Sequence, residues 1–198
     1  MIHHIDLSSV LRHSVCDLYS NLVTRPTGAA VRTEIEQLVA GIPGPSLTVI
    51  DFSHVGLLDY SCADEVVAKL LLRFSTDPVP SDAYFLFRGM QEWHRHAIEA
   101  ALGRYGLALV VESHDGSATL IGTIADDEHR VWEAVYQFGT ADAQSVAACV
   151  GSDPPAAERL LQGLCDRRLL MRLDERYHAL AAHPDSIDAG AAPGETRG

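Results

Sequence analysis

The residues best equipped for chemistry lie between Asp51 and Glu65. Asp51, His54, Asp59 and Ser61 bring two carboxylates, an imidazole and a hydroxyl into one short stretch. A nucleophilic serine needs a base to take its proton and a third group to orient that base. Ser61 lacks a Gly-x-Ser-x-Gly elbow, and no second histidine is fixed by the sequence as its base. The chain also has no phosphate loop and no Gly-x-Gly-x-x-Gly turn. The expectation is a protein that is not an enzyme.

A second set of residues suits binding rather than reaction. Thr27 and Gly28 open a helical pattern with Arg25 and Arg32 nearby, a combination that offers an anion free backbone N–H groups and positive charge. The competing reading is a capped helix with solvent-facing arginines. Metal chemistry has little support. Cys16, Cys62, Cys149 and Cys165 lie far apart, and no pair has ligand spacing. They read as reduced, buried thiols. His3-His4 and His94-x-His96 have no carboxylate or cysteine at helical ligand spacing. No metal site and no cofactor are expected.

These groups have to be positioned by an alternating series of strands and helices. Ser8 or Ser9 is the expected cap of a first helix carrying Val10 and Leu11, although the stretch to Val23 also alternates like a strand. Thr27 is expected to cap a helix with Val31, Ile35, Leu38 and Val39 inward, ending before Pro43-Gly44-Pro45. The apolar, β-rich runs Leu47–Phe52, Ala83–Phe87 and Leu107–Val111 suit strands buried on both faces. Ser117–Ile124 suits an edge strand. Ser61 followed by Asp64 resembles a capping box for the helix carrying Val66, Val67, Leu70, Leu71 and Phe74. Gln91–Leu102 reads as a helix with Trp93, Ala97, Ile98, Ala101 and Leu102 toward the sheet. The fold class is α/β.

After Asp126 the pattern changes. A helix at His129–Phe138, with Val131, Trp132, Val135 and Phe138 at core spacing, is followed by helices at Asp142–Cys149 and after Pro154-Pro155, then by a strand–turn–strand stretch at Leu169–Leu180. Three helices and a hairpin make a small C-terminal winged-helix-like domain. The expected division is residues 1–125, residues 126–185, and a disordered tail at 186–198.

Composition excludes several classes of function. The chain has 198 residues with 27 acids, 15 basic residues and a net charge of −12, and Lys69 is its only lysine. Such a chain has no general attraction to phosphate backbones or anionic lipid. The start, Met1-Ile2-His3-His4, has no basic region followed by an apolar one, so no secretory leader is expected. Apolar runs such as Val66–Leu72 fall far short of the ~20 residues of a membrane span. A cytoplasmic location is expected, with no membrane partner. The one local basic patch is Arg167, Arg168, Arg172 and Arg176, the candidate DNA-contact set. The exposed start of the third helix of the winged unit, Ser152-Asp153-Pro154-Pro155-Ala156-Ala157-Glu158, offers no base-reading side chain before Arg159.

The stretch from Val49 through Asp51, Asp59 and Tyr60 to the run Ser61-Cys62-Ala63-Asp64-Glu65 resembles the STAS fold of anti-sigma-factor antagonists and anion-transporter tails. Its hallmark is a buried strand ending in Asp, a loop, and an Asp-Ser-Ser-Gly-like turn opening a helix. The run at 61–65 is similar to divergent STAS-like domains of unknown function that carry Ser-Phe-Ala-Asp-Glu here, and Phe87-Arg88-Gly89-Met90 before a helix also fits. The resemblance spans about residues 25–112 and implies a STAS-like sheet flanked by helices. It implies a protein-docking function toward a GHKL-type kinase or a sigma-factor regulator. The candidate partner-binding or phospho-switch residues are Asp59, Tyr60, Ser61, Asp64 and Glu65. Tyr60 stands where antagonists carry the phosphorylated serine, and Ser61 at the second serine. A phosphate on Ser61 would face Asp59, Asp64 and Glu65 and act as a release signal. The function expected is a non-enzymatic regulatory adaptor, with the winged unit as a second interface or a homodimer surface. The alternative is a transcription regulator whose STAS-like domain senses and whose winged helix binds DNA.

Overall fold

The computed structural model describes residues 2–14, 21–76 and 82–180. Cys16, Pro78, Pro80 and the expected tail at 186–198 lie outside the described residues.

Five strands form the main sheet: β1 (Ile2–Asp6), β2 (Ser46–Asp51), β3 (Ala83–Arg88), β4 (Ala108–Glu112) and β5 (Ala118–Gly122). They lie in the order in which the chain makes them. β1 to β4 are parallel and β5 runs antiparallel to β4 at the edge. Three of the parallel strands fall where apolar β-branched and aromatic residues run together. β1 was not expected, because His3 and His4 interrupt the apolar pattern over only five residues. It is an edge strand, and pairing with β2 from Ile2↔Leu47 to Asp6↔Asp51 holds it in place.

Helices connect the parallel strands: α1 (Leu7–Ser14), α2 (Arg25–Ala40), α3 (Tyr60–Ala63), a π-helical stretch (Asp64–Lys69) running into α4 (Leu70–Ser75), and α5 (Glu92–Tyr105). Parallel strands added one beside the next, with crossovers of one hand, place every crossover on one face of the sheet. One apolar cluster accordingly joins Val31, Ile35, Val66, Leu70 and Ile98 of these helices to Ile50, Phe85, Phe87 and Leu109 of the sheet.

The helix ends differ from those expected. Asp6, not Ser8 or Ser9, caps α1: its carboxylate accepts from Ser8 N at 3.0 Å and from Ser9 Oγ at 2.8 Å. Thr24, not Thr27, caps α2, and Pro26 sits in the first turn, where its missing N–H costs nothing. Two residues expected inward are exposed, Leu38 on α2 and Trp93 on α5. His94 is the buried residue at the start of α5. Its ring accepts from Gln91 N at 3.2 Å and lies 3.0 Å from Gly56 O.

The C-terminal unit comprises α6 (Asp126–Phe138), β6 (Thr140–Ala141), α7 (Ala143–Val150), α8 (Pro154–Asp166), β7 (Leu170–Leu173) and β8 (Arg176–Ala179). Its three strands form an antiparallel sheet in the order β6-β8-β7. Helix, strand, two helices and a hairpin is winged-helix order. Asp142 and Asp153 cap α7 and α8. The hairpin turns on Asp174 and Glu175, both at positive φ, as a two-residue turn matched to strand twist requires. Phe138, expected in the core, is exposed at the end of α6.

This unit covers the sheet face that the crossover helices leave bare. Leu47, Val49, Tyr84, Leu86, Val110 and Leu120 share one buried cluster with Val131, Trp132, Val135, Leu161 and Leu164. Polar ties fix the contact. Ala118 N donates to Tyr136 Oη at 2.8 Å, and Tyr136 stacks on Trp132 at 5.3 Å. Arg167 reaches Glu128 at 2.8 Å and donates to Thr123 O. Arg168 donates to Asp82 at 2.6 Å and to Phe74 O at 3.2 Å, and lies over the Tyr84 ring.

Two outcomes follow. A chain ending at Ala125 exposes Leu47, Val49, Tyr84, Leu86, Val110 and Leu120 together, and light scattering should find it aggregated. A monodisperse, cooperatively melting 1–125 fragment would show that the sheet does not need this cover. Ile50→Asp or Leu109→Asp places a carboxylate in the opposite cluster at several kcal/mol, comparable to total domain stability, so neither variant should show a cooperative melt.

Candidate functional site

The turn after β2 begins with Asp51, whose carboxylate accepts from Ser53 N at 2.8 Å and from Arg88 Nε at 2.9 Å. Burial pushes its pKa up, but the hydrogen bonds from Ser53 and Arg88 outweigh that and hold it below the usual carboxylate value. The chain then runs along the rim of the sheet through Val55-Gly56-Leu57-Leu58. Leu22 N donates to Leu57 O at 2.8 Å, Asp59 N donates to Leu22 O at 2.9 Å, and Trp93 Nε1 donates to Gly56 O at 3.0 Å.

Asp59, rather than Ser61, caps α3. Its backbone is extended and its Oδ1 accepts from Cys62 N at 2.8 Å and from Ser61 Oγ at 2.9 Å. Ser61 lies inside the first turn, one residue after exposed Tyr60. A capping carboxylate two residues upstream offers stronger acceptance than a hydroxyl and takes the position. No hydrogen bond joins His54 to Ser61 among the described residues. Ser61 Oγ donates to a carboxylate, and the four groups considered for nucleophilic chemistry do not assemble.

The expected docking set and the expected anion site turn out to face each other. Asp64 and Glu65 are not surface residues: they are 1% and 3% exposed and open the π-helical stretch against α2. Arg25 Nη1 donates to both carboxylates at 2.7 Å. Arg32 Nε lies 3.4 Å from Glu65, and Lys69 is 3.7 Å from Asp64 and closer still to Glu65. Tyr105 Oη donates to Asp64 at 2.9 Å. The anion that Arg25 and Arg32 bind is therefore this internal carboxylate pair. Gly28 makes the contact possible: a Cβ there would stand 3.0 Å from Cys62 Cα and 3.0 Å from Glu65 Cβ. Thr27 serves the helix start, its N–H donating to Thr24 Oγ1 at 3.3 Å. With Asp64 and Glu65 neutralised, a phosphate on Ser61 would meet repulsion from Asp59 alone.

Burial alone would raise both carboxyl pKa values. Hydrogen bonds from Arg25 and Tyr105 at Asp64, and from Lys69 and Arg25 at Glu65, outweigh it, and both lie below their ordinary values of 3.8 and 4.5. Burial pushes the Cys62 thiol up to about 11, and it donates to Thr24 O at 2.9 Å. Burial pushes Cys165 to about 12. Both are the inert, buried thiols expected, whereas Cys149 is exposed at the end of α7. Among the described residues no group of three or more His, Cys, Asp or Glu is placed to hold a metal ion. No helix among them is long and apolar enough to cross a membrane.

The candidate DNA-contact arginines are not one patch. Arg167 and Arg168 face inward, bonded to Glu128, Thr123 O, Asp82 and Phe74 O. Arg172 lies over Tyr177 and donates to Gln162 at 3.2 Å. Arg176 is exposed on the hairpin.

One feature escaped the sequence. A cleft of about 870 Å³ opens beside the carboxyl ends of β2, β3 and β4, lined by Asp51, Arg88, Gln91, Glu92, Arg95 and Glu112 among others. Its signal was a charged residue closing each parallel strand, at Asp6, Asp51, Arg88 and Glu112, a row visible only once the register is known.

The carboxylate pair sets the acid limb of stability. A carboxyl whose folded pKa is depressed stabilises the fold above its unfolded pKa and loses that contribution as pH falls through the folded value. Stability should hold down to about pH 5 and then decline below the ordinary values of 4.5 and 3.8. In Arg25→Ala, burial gains weight, both groups take up protons at higher pH, and acid unfolding should begin earlier. Circular dichroism melts across pH would show this. Coincident acid limbs for parent and variant would remove Arg25 from the account. Asp59→Ala should cost about 1 kcal/mol, and Ser61→Ala less.

The scan against protein-family models matches none, and the search of curated proteins returns no match.

Proposed function

We propose that the protein is a non-enzymatic regulatory adaptor that docks a signalling protein along the rim running from Leu57 to Tyr60 and the start of α5. One observation carries this: large apolar side chains stand in water around the Asp59 turn. Trp93 is 61% exposed, Leu57 57% and Tyr60 39%, with Val23 beside them. Scattered exposed apolar residues are ordinary, but a group gathered on one edge marks an interaction surface. These residues are held together. Trp93 is tied to Gly56 O next to Leu57, and the Leu22 bonds set Val23 alongside Leu57-Leu58-Asp59. Trp and Tyr also carry much of the binding energy at protein interfaces.

The resemblance to STAS domains supports the same surface, because those domains make their partner contacts at the turn that here reads Asp59-Tyr60-Ser61. It names the partner class: a GHKL-type kinase or a sigma-factor regulator, met in the cytoplasm. The acidic net charge and the inward-facing Arg167 and Arg168 favour this over the DNA-binding regulator.

Leu57→Ser combined with Trp93→Ala should keep the parent's cooperative melt to within a few degrees and weaken binding to a purified partner by tenfold or more in calorimetry. Unchanged affinity would remove the rim from the interface. In a mobility-shift assay the full chain should not retard random duplex DNA at ordinary ionic strength. Sub-micromolar, sequence-selective binding lost on changing Arg172 and Arg176 to alanine would replace the adaptor with the transcription regulator.

A further inference from the structure

The cleft opens outside the carboxyl ends of β2, β3 and β4, where the strands run into the turns that precede α5 and β5. Its volume of about 870 Å³ falls within the ~300–1,000 Å³ usual for small-molecule sites. Its charges are the informative part. Asp51, Arg88 and Glu112 are register neighbours across three strands, an acid–base–acid row with side chains on the same face of the sheet. Asp51 already accepts from Ser53 N and from Arg88 Nε. The two terminal nitrogens of Arg88 and the carboxylate of Glu112 have no hydrogen-bond or ion-pair partner among the described residues. They are opposite charges on adjacent strands, and Arg88 turns to Asp51 instead.

We propose that this cleft binds a zwitterionic small molecule of the α-amino-acid class, its carboxylate on Arg88 and its ammonium on Glu112. A guanidinium whose Nε is engaged still presents donors to a carboxylate, and a lone carboxylate accepts from an ammonium. An α-amino acid carries both groups on one carbon, which suits two side chains one strand spacing apart. α5 begins at this cleft, with Gln91 and the first-turn acid Glu92 in the wall. Met90, in the turn between β3 and α5, gives an apolar contact for a side chain at the end of the sheet. Gly89, at φ +68°, closes the floor. A Cβ there would stand 2.3 Å from Ser53 Oγ and 2.7 Å from Asp51 Oδ1, displacing the pair that orients Arg88. Inorganic phosphate or a plain carboxylate would meet Glu92 and Glu112 as repulsion, and a simple amine would leave Arg88 unused.

The test is a thermal-shift screen of the full chain against the common L-α-amino acids and their dipeptides at millimolar concentration, followed by calorimetry on the best. At least one should raise the Tm, and its N-acetyl derivative and its methyl ester should not. Glu112→Gln, which disturbs no internal bond, should weaken binding roughly tenfold or more, as loss of a charged hydrogen-bond partner does. Arg88→Gln should do the same. The Leu57→Ser, Trp93→Ala variant should bind the amino acid like the parent, which separates this site from the docking rim. No shift with any amino acid or dipeptide, equal binding of the N-acetyl derivative, or parent-like binding by Glu112→Gln would each overturn the proposal.

Discussion

A sheet of parallel strands must be covered on both faces, and this constraint organises the molecule. The strand runs are apolar on consecutive positions, so neither face tolerates water. Because the strands are laid down in sequence order, the crossover helices all take one side. The other side then has to be closed by whatever follows β5, and α6 and α8 close it. The winged unit is thus a structural layer of the protein before it is anything else. Arg167 and Arg168 belong to that layer, which explains why the densest basic pair in the chain faces inward.

The Arg25–Asp64–Glu65 cluster plays the corresponding role on the helical side. Two buried carboxylates are costly to dehydrate, and removing one partner of such a group costs more than the pair contributes in net terms. Three cations and a phenol around them therefore specify how α2 meets the π-helical stretch rather than adding much net stability. π-helical stretches often occur where a helix must aim particular side chains. Here the wider turn sets Asp64 and Glu65 side by side toward Arg25.

Much of the architecture was legible in the sequence, for identifiable reasons. Leu47–Phe52, Ala83–Phe87 and Leu107–Val111 are β-branched and aromatic without interruption, so their strands were found, and prolines and glycines marked the helices of the C-terminal unit. β1 was missed because two histidines hide a short edge strand. Caps were misplaced by up to three residues at α1, α2 and α3, where Ser or Thr competes locally with Asp or another Thr, and only backbone conformation decides. The carboxylate cluster was out of reach, since Arg25 and Asp64 are 39 positions apart and nothing local reports their pairing. Trp93 was assigned inward by helical spacing. The indole is exposed because it bonds to Gly56 O while His94 takes the buried position.

The shared core also bears on how such a chain evolves. A winged unit tethered by a flexible linker can be exchanged between proteins by recombination. Here Tyr84, Leu86 and Val110 of the sheet are buried in one cluster with Trp132, Val135 and Leu161 of the C-terminal helices. A transplanted winged unit would arrive with an interface shaped for another surface, or for none. Substitutions on the two sides must instead compensate in volume, so descendants of this chain will change the sheet face and the C-terminal helices in step and inherit the two layers together.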